Sequence, residues 1–289
     1  MMSQTTSLPS NFQFSQSSLQ DFVDCPRRFE LKYLRELGWP AIEAEPVLEH
    51  ENLMQLGSRF HQLVHQHLSG ISAKRLTETV DHPDLVRWWT NYLNPNYTPD
   101  LEGWQTYSEI VLSAPLGEHR LIAKYDLLGI KPGEKALIID WKTSRKKSAR
   151  GWLQDRLQTS VYPYLLVQAG QALNGGSPLQ PEQVAMMYWF PEAPSDPERF
   201  SYDAKGYALD HQRLSELAEQ ISTLSGDEDH SPFRLTDDKR RCRFCVYRSL
   251  CERGEKAGNL DERGDILLQD QEKEPMIKLD FDQIAEIEY

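Results

Sequence analysis

The chain has 289 residues, a formal net charge of −12, 39% hydrophobic residues and 10% aromatic residues. That apolar share suffices for a packed core and excludes a wholly disordered chain. The longest apolar runs, ALII (136–139) and VAMMYWF (184–190), fall far short of the about 20 residues that a membrane span takes. The polar start, MMSQTTSLPSNFQF, lacks the apolar stretch of a secretory leader, so a cytoplasmic protein with no membrane partner is expected. An acidic total argues against an all-over basic binder of nucleic acid. The charge is uneven, however: residues 252–289 carry twelve acids and five bases, while basic residues cluster at 142–150 and 239–248.

In chain order, residues 1–13 are expected to form a flexible arm. Ser15 or Ser17 can then cap a helix carrying Phe14, Leu19, Phe22 and Val23. Pro26 ends or restarts it, and Phe29 and Tyr33 follow four apart on one face. The acidic, proline-containing segment 43–51 reads as a connector. Residues 52–68 form a helix with Leu53, Leu56, Phe60, Leu63, Val64 and Leu68 inward, and 81–93 another, carrying Trp88 and Trp89. The period then drops to two: 107–112, 120–130 and 136–143 read as strands, with a turn at Lys131-Pro132-Gly133-Glu134. A helix over 151–169, interrupted by Pro163, precedes strands at 183–190 and 199–203 and a helix at 209–224. The expected fold class is α/β (α+β), a mixed central sheet flanked by helices.

A hairpin turning on Pro132 and Gly133 sets Asp126 opposite Asp140. Side chains two apart share a face, so Lys142 points with Asp140, while Ile139 and Trp141 point away. Facing carboxylates repel. Either a divalent cation such as Mg²⁺ or Mn²⁺ sits between them, or Lys142 itself does, as a structural salt bridge. A cation there would acidify a water and stabilise charge developing on a phosphate.

These pieces resemble the PD-(D/E)XK nuclease superfamily, specifically its RecB-type branch. The likeness rests on Gly57–His61 as G-x-x-x-H, Asp126 closing LIAKYD, Asp140-Trp141-Lys142 as D-x-K, and Gln158 to Tyr162 as Q-x-x-x-Y. The opening S-x-S-x-L…CPRRF, with Arg27 and Phe29 in register, completes a match over residues 14–251. Ala123 stands where the branch often has glycine. The resemblance implies a restriction-endonuclease-like fold. It makes His61, Asp126, Asp140 and the Trp141 carbonyl metal ligands, and Lys142 the catalytic lysine. It places Gln158 and Tyr162 along the site, against the DNA backbone, with Glu109 as a further acidic candidate. Read without it, His61, His65 and His67 are packed or solvent-facing helical residues, and Tyr162 is core.

Three of the four cysteines, Cys242, Cys245 and Cys251, fall within ten residues, while Cys25 lies more than two hundred residues earlier. In a reducing compartment that suggests a metal site. The pattern resembles the iron–sulfur subset of the same branch, which includes AddB-type nuclease domains and CRISPR-adaptation nucleases. It implies a [4Fe–4S] cluster clasping the two ends of the nuclease domain. Zinc is the alternative, although a zinc ribbon shows two close pairs and only one C-x-x-C is present; free thiols are the third reading. Lys239, Arg240, Arg241, Arg243 and Arg248 can hold a DNA strand or form a solvated face, and Phe244 and Tyr247 can stack on bases or pack on the cluster.

The expected function is a metal-dependent DNA nuclease. Exonuclease action on single strands or ends, in repair or recombination, is favoured. No P-loop motif is present, so unwinding would fall to a helicase partner. The alternatives are a CRISPR-adaptation nuclease that trims captured DNA, and a non-cleaving, nuclease-fold DNA-binding subunit of a helicase complex. The acidic tail, 252–289, reads as a docking peptide, a strand mimic or disordered chain.

Overall fold

Residues 8–38, 45–224 and 231–254 are described by the computed structural model. Residues 1–7 of the expected arm, and the acidic tail beyond Gly254, lie outside them. From Leu8 onward the arm is described: Leu8 and Phe12 pack on the core, and the Phe12 ring meets Phe14 edge-on at 5.2 Å.

Among the described residues six strands form one mixed sheet: β1 (Gln13–Ser15), β2 (Gln105–Leu116), β3 (His119–Lys131), β4 (Lys135–Trp141), β5 (Val184–Trp189) and β6 (Glu198–Ser201). β3 is its hub. β2 runs antiparallel along one edge of β3 for nearly its full length. The other edge is shared, with β1 parallel against residues 120–122 and β4 antiparallel against 127–131. β5 lies parallel to β4, and β6 antiparallel to β5. The β3–β4 turn follows from its residues: the Glu134 N–H donates to the Lys131 carbonyl at 2.9 Å, and Gly133 takes the positive φ of 77° that the turn requires. Ile139 then falls opposite Leu127.

Helices cover both faces. α1 (Gln16–Asp24), α7 (Leu157–Ala169) and α8 (Ala204–Leu224) pack on the larger core, which holds Phe14, Leu121, Tyr125, Leu128, Ile138 and Tyr188. On the other face α3 (Glu45–Leu68), α4 (Ala73–Thr77) and α5 (Pro83–Leu93) enclose Phe60, Trp88, Trp89, Leu127, Ile139, Trp141 and Trp189. The parallel β4–β5 pair takes a helical crossover, α6 (Arg150–Asp155) followed by α7.

Several boundaries differ from expectation for local reasons. Phe14 belongs to β1, and Ser15 caps α1, its Oγ accepting the Ser18 N–H at 3.1 Å. The expected connector is helical from Glu45, because Pro46 sits in the first turn, where no helical N–H is needed; residues 43 and 44 lie outside the described set. α7 runs unbroken through Pro163, and the break falls instead at Arg156, whose backbone is extended (φ −75°, ψ 138°). Leu157, Val161, Pro163, Leu165 and Leu166 are all buried, and that burial offsets the hydrogen bond Pro163 cannot make.

The two ends of the described chain meet. α1, α2 (Pro26–Phe29), a π-helical turn (Glu30–Leu34) and the residues just after it supply the contacts on the N-terminal side. The Arg27 N–H donates to the Arg234 carbonyl at 3.1 Å, Ser231 Oγ to the buried Glu30 carboxylate at 2.6 Å, and the Tyr247 hydroxyl to the Leu37 carbonyl at 2.8 Å. Arg241 pairs with buried Asp24, which also accepts from Arg28 at 3.0 Å. No helix among the described residues is long and apolar enough to cross a membrane.

Candidate metal and catalytic site

The β2–β3 ladder has a break in its middle. Ser108 faces Leu127 and Ile110 faces Tyr125, leaving Glu109 and Asp126 opposite each other between them. Glu109 has φ 59°, in the left-handed region. Both strands change phase there. In β3 the odd residues Leu121, Ala123 and Tyr125 enter the larger core before the break, and the even residues Leu128 and Ile130 enter it afterwards. In β2, Tyr107 packs on that core on one side of Glu109, and Ile110 and Leu112 do so on the other. The facing kinks release two carboxylates from regular alternation.

α3 lies over this break and meets it with one stripe of residues four apart. Gly57 abuts Thr143, just after β4, so closely that an added Cβ would lie 2.6 Å from Thr143 Oγ1. One turn later His61 Nδ1 stands 3.3 Å from Asp126 Oδ1. A further turn on, His65 Nδ1 lies 2.9 Å from Ser108 Oγ on β2. The glycine of G-x-x-x-H thus admits the helix to the sheet, and the histidine reaches the acid.

His61, Glu109 and Asp126 each offer a ligand atom, and these atoms lie within 4.8 Å of one another. Asp126 Oδ2 also accepts the Trp141 N–H at 2.9 Å. Burial alone would push the Asp126 carboxyl up, but His61, the Trp141 N–H and Lys142 outweigh it and hold the group below the usual aspartate value. Lys124 pairs with Glu109.

Asp140 is not part of that three-residue group among the described residues. It belongs to an adjoining buried cluster on the α7 side of the sheet. Lys142 Nζ lies 2.7 Å from Asp140 Oδ2 and donates to Gln158 Oε1 at 2.8 Å, while Gln158 Nε2 donates to Asp140 Oδ1 at 2.5 Å. Ile139 and Trp141 enter the opposite core. Each carboxylate therefore has a basic neighbour: Glu109 has Lys124, Asp126 has His61 and Asp140 has Lys142. Tyr162, four residues after Gln158, is 4% exposed with its ring on Tyr125 at 4.9 Å, and its carbonyl accepts from the Tyr125 hydroxyl at 2.9 Å. Gln158 is the member of that pair that reaches the acid and the lysine.

The cysteines are not disulfide-bonded. Cys25 joins α1 to α2, and Cys242 lies in a short 3₁₀ turn (Lys239–Phe244) that Cys245 ends. Burial pushes the Cys245 thiol up to about 11, with Cys25 and Cys251 adding to the effect and Arg28 opposing it. Burial likewise raises Cys242 and Cys251, and each feels Cys25. The four sulfurs are thus gathered closely enough for charge on one to oppose charge on another. No three of them lie mutually within 4.8 Å among the described residues. Tyr247 is buried, and the Phe244 side chain is outside the described set.

Sequence reasoning carried Glu109 only as a further candidate and missed Lys124, Ser108 and the pairing of Gly57 with Thr143. Lys124 had a signal, since it lies two residues before Asp126. The left-handed glutamate had none, because no glycine or asparagine marks it.

A search of curated proteins finds no match. Several solved structures resemble the chain, among them the following two. The crystal structure of SSO0001 is 15% identical, with 85% of this chain and 88% of that one covered and a TM-score of 0.41. That of a presumed exonuclease from Eubacterium rectale is 12% identical, covering 75% of this chain and 82% of that one with a TM-score of 0.44. Residues 13–252 match the family model of the PD-(D/E)XK nuclease superfamily, a span that takes in both the kinked acid pair and the buried Asp140–Lys142 cluster, and the chain belongs to that superfamily.

Proposed function

We propose that this protein is a metal-dependent deoxyribonuclease of the RecB-type branch, an exonuclease acting on single strands or DNA ends in repair or recombination. His61, Glu109 and Asp126 meet beside the Asp140–Lys142–Gln158 cluster, and this convergence carries the proposal. One imidazole nitrogen and two carboxylate oxygens suit Mg²⁺ or Mn²⁺. Asp140 and the Trp141 carbonyl are the further ligands assigned. A cation bound there supplies positive charge to a phosphodiester and acidifies a water. Lys142 Nζ, held by Asp140 and Gln158, orients the attacking water. Tyr162 anchors the α7 turn that carries Gln158. Arg145 and Lys146, exposed after β4, offer contacts to the phosphate backbone, which suits selection by strand geometry over base edges. Strand separation is left to a helicase partner.

The four cysteines hold a [4Fe–4S] cluster between the two ends of the domain. Four thiolates are what such a cluster takes, and only one close C-x-x-C pair is present where a zinc ribbon shows two. The cluster contributes structure rather than hydrolysis.

The test uses protein purified without oxygen, its visible spectrum and iron and sulfide content, and labelled single and double strands with Mn²⁺ or Mg²⁺. Metal-dependent release of 5′-phosphorylated products is expected, abolished by chelation. Lys142→Ala loses cleavage by more than about a hundredfold and keeps DNA binding. Equal cleavage by that variant, or none by the native protein with either metal, overturns the nuclease reading. Stoichiometric zinc without iron overturns the cluster.

A further inference from the structure

We propose that His65 is a positioning residue for the cation site, acting through Ser108 on the facing kinks that carry Glu109 and Asp126. The inference rests on the metal-site reading above and adds a residue to it.

Ser108 immediately precedes the left-handed Glu109. Its hydroxyl lies 3.4 Å from the Asp126 carbonyl oxygen, to which it donates, across the break in the ladder. Ser108 Oγ is also hydrogen-bonded to His65 Nδ1, at 2.9 Å. One side chain of α3 is thereby tied to the backbone of both ligand-bearing strands at the point where they depart from regular geometry. A left-handed glutamate costs free energy, and it persists only where its surroundings hold it.

The two cores explain why a break exists. Leu128 and Ile130 on one side, and Leu121 and Tyr125 on the other, fix the phase of β3 independently of His65. They do not fix where the two carboxylates point. That task falls to polar contacts at the break itself. Lys124 on Glu109 and the Trp141 N–H on Asp126 supply two of them, and α3 supplies two more, His61 against Asp126 and His65 against Ser108, one and two turns beyond the close approach of Gly57 to Thr143. His67, by contrast, turns away and bonds the Tyr92 hydroxyl at 3.0 Å. Partners that orient metal ligands in this way typically change metal affinity ten- to a hundredfold when removed.

The test measures Mn²⁺ binding by titration of the full chain, with free Mn²⁺ read by electron paramagnetic resonance, and thermal unfolding in chelator alongside. His65→Ala is expected to weaken Mn²⁺ about tenfold while the cation-free unfolding midpoint stays close to that of the native protein. Ser108→Ala gives the same loss, and the double variant is no weaker than either single one, because both act along one path. His65→Asn recovers most of the affinity, since its amide can set either a donor or an acceptor at the place of Nδ1. Native Mn²⁺ affinity in His65→Ala, or losses that multiply in the double variant, overturns the inference. Asp126→Ala separates the two readings. If it abolishes binding while His65→Ala does not matter, positioning alone fails. If it binds Mn²⁺ as the native chain does, the metal site is elsewhere and both fail.

Discussion

Gln158 performs two tasks that an apolar side chain of its volume cannot. Its amide nitrogen donates to Asp140 at 2.5 Å and its oxygen accepts from Lys142 at 2.8 Å, in a place where all three residues are buried. Buried donors and acceptors left without partners cost about 1–3 kcal/mol. Gln158→Leu is therefore expected to lower stability by about that amount and to slow cleavage at least tenfold, as Lys142 loses one of its anchors. Gln158→Glu keeps the acceptor for Lys142 but sets a second carboxylate against Asp140, and recovers only part of either loss. Urea midpoints and single-turnover cleavage measure both, and a leucine variant that cuts like the native chain would show that the lysine is held without Gln158. The partners at this point were legible beforehand. Period-two alternation put Asp140 and Lys142 on one face, and the spacing of four put Gln158 and Tyr162 on another. The same spacing could not tell which of the pair faces the acids, since the α7 stripe runs from the cluster into the core within one turn. Glu109 was less legible still, because strand alternation assumes a phase that its left-handed backbone breaks.

At the scale of elements, the site depends on how closely α3 approaches the end of β4. The whole approach passes through Gly57, where a methyl group would meet Thr143 Oγ1 at 2.6 Å and Thr143 Cβ at 3.6 Å. The first distance is a clash and the second an ordinary contact. Gly57→Ala gains up to about 1 kcal/mol of helix propensity but must push α3 away from the sheet, carrying His61 from Asp126. The expected result is weaker Mn²⁺ binding with no loss of helical content. Thr143→Ala removes the clashing oxygen, so the double variant should bind Mn²⁺ more tightly than Gly57→Ala alone. If the second change brings no recovery, α3 is not held off by that contact. The helix itself was readable over 52–68 from its apolar spacing, but its first turn was not. Acids and a proline look like linker composition, although the first turn of a helix accepts both. Pro163 misled in the opposite direction: local chemistry marks a break, and burial on every side of α7 keeps the helix whole. Both errors arise where tertiary packing or capping position, neither visible in a short window, decides the outcome.

At the scale of the whole molecule, the first helices and the last described segment form one unit through buried charge. Glu30 is fully buried, bonding Arg27 at 2.5 Å, Arg35 at 2.8 Å and Ser231 at 2.6 Å. Asp24, equally shielded, holds Arg28 and Arg241. The sequence hinted at the local half of this network, since Asp21, Asp24 and Arg28 fall at helical spacing. The contacts from Ser231 and Arg241 span two hundred residues and leave no periodic trace. Neutralising Glu30 isolates the effect without touching a cysteine. Glu30→Gln keeps the shape but leaves two arginines facing an amide. With those arginines about a quarter to a third exposed, the cost should be near 2 kcal/mol rather than the full penalty of a sealed pair. Because Ser231 shares the same carboxylate oxygen as Arg27, the loosening should reach both ends at once. Amide hydrogen exchange is then expected to quicken together in residues 16–38 and 231–254, while β3 and β4 keep native protection. Faster exchange confined to 16–38 would mean that the terminal segment is held by its other contacts, Tyr247 on Leu37 and Arg241 on Asp24, and that Glu30 serves only its own turn.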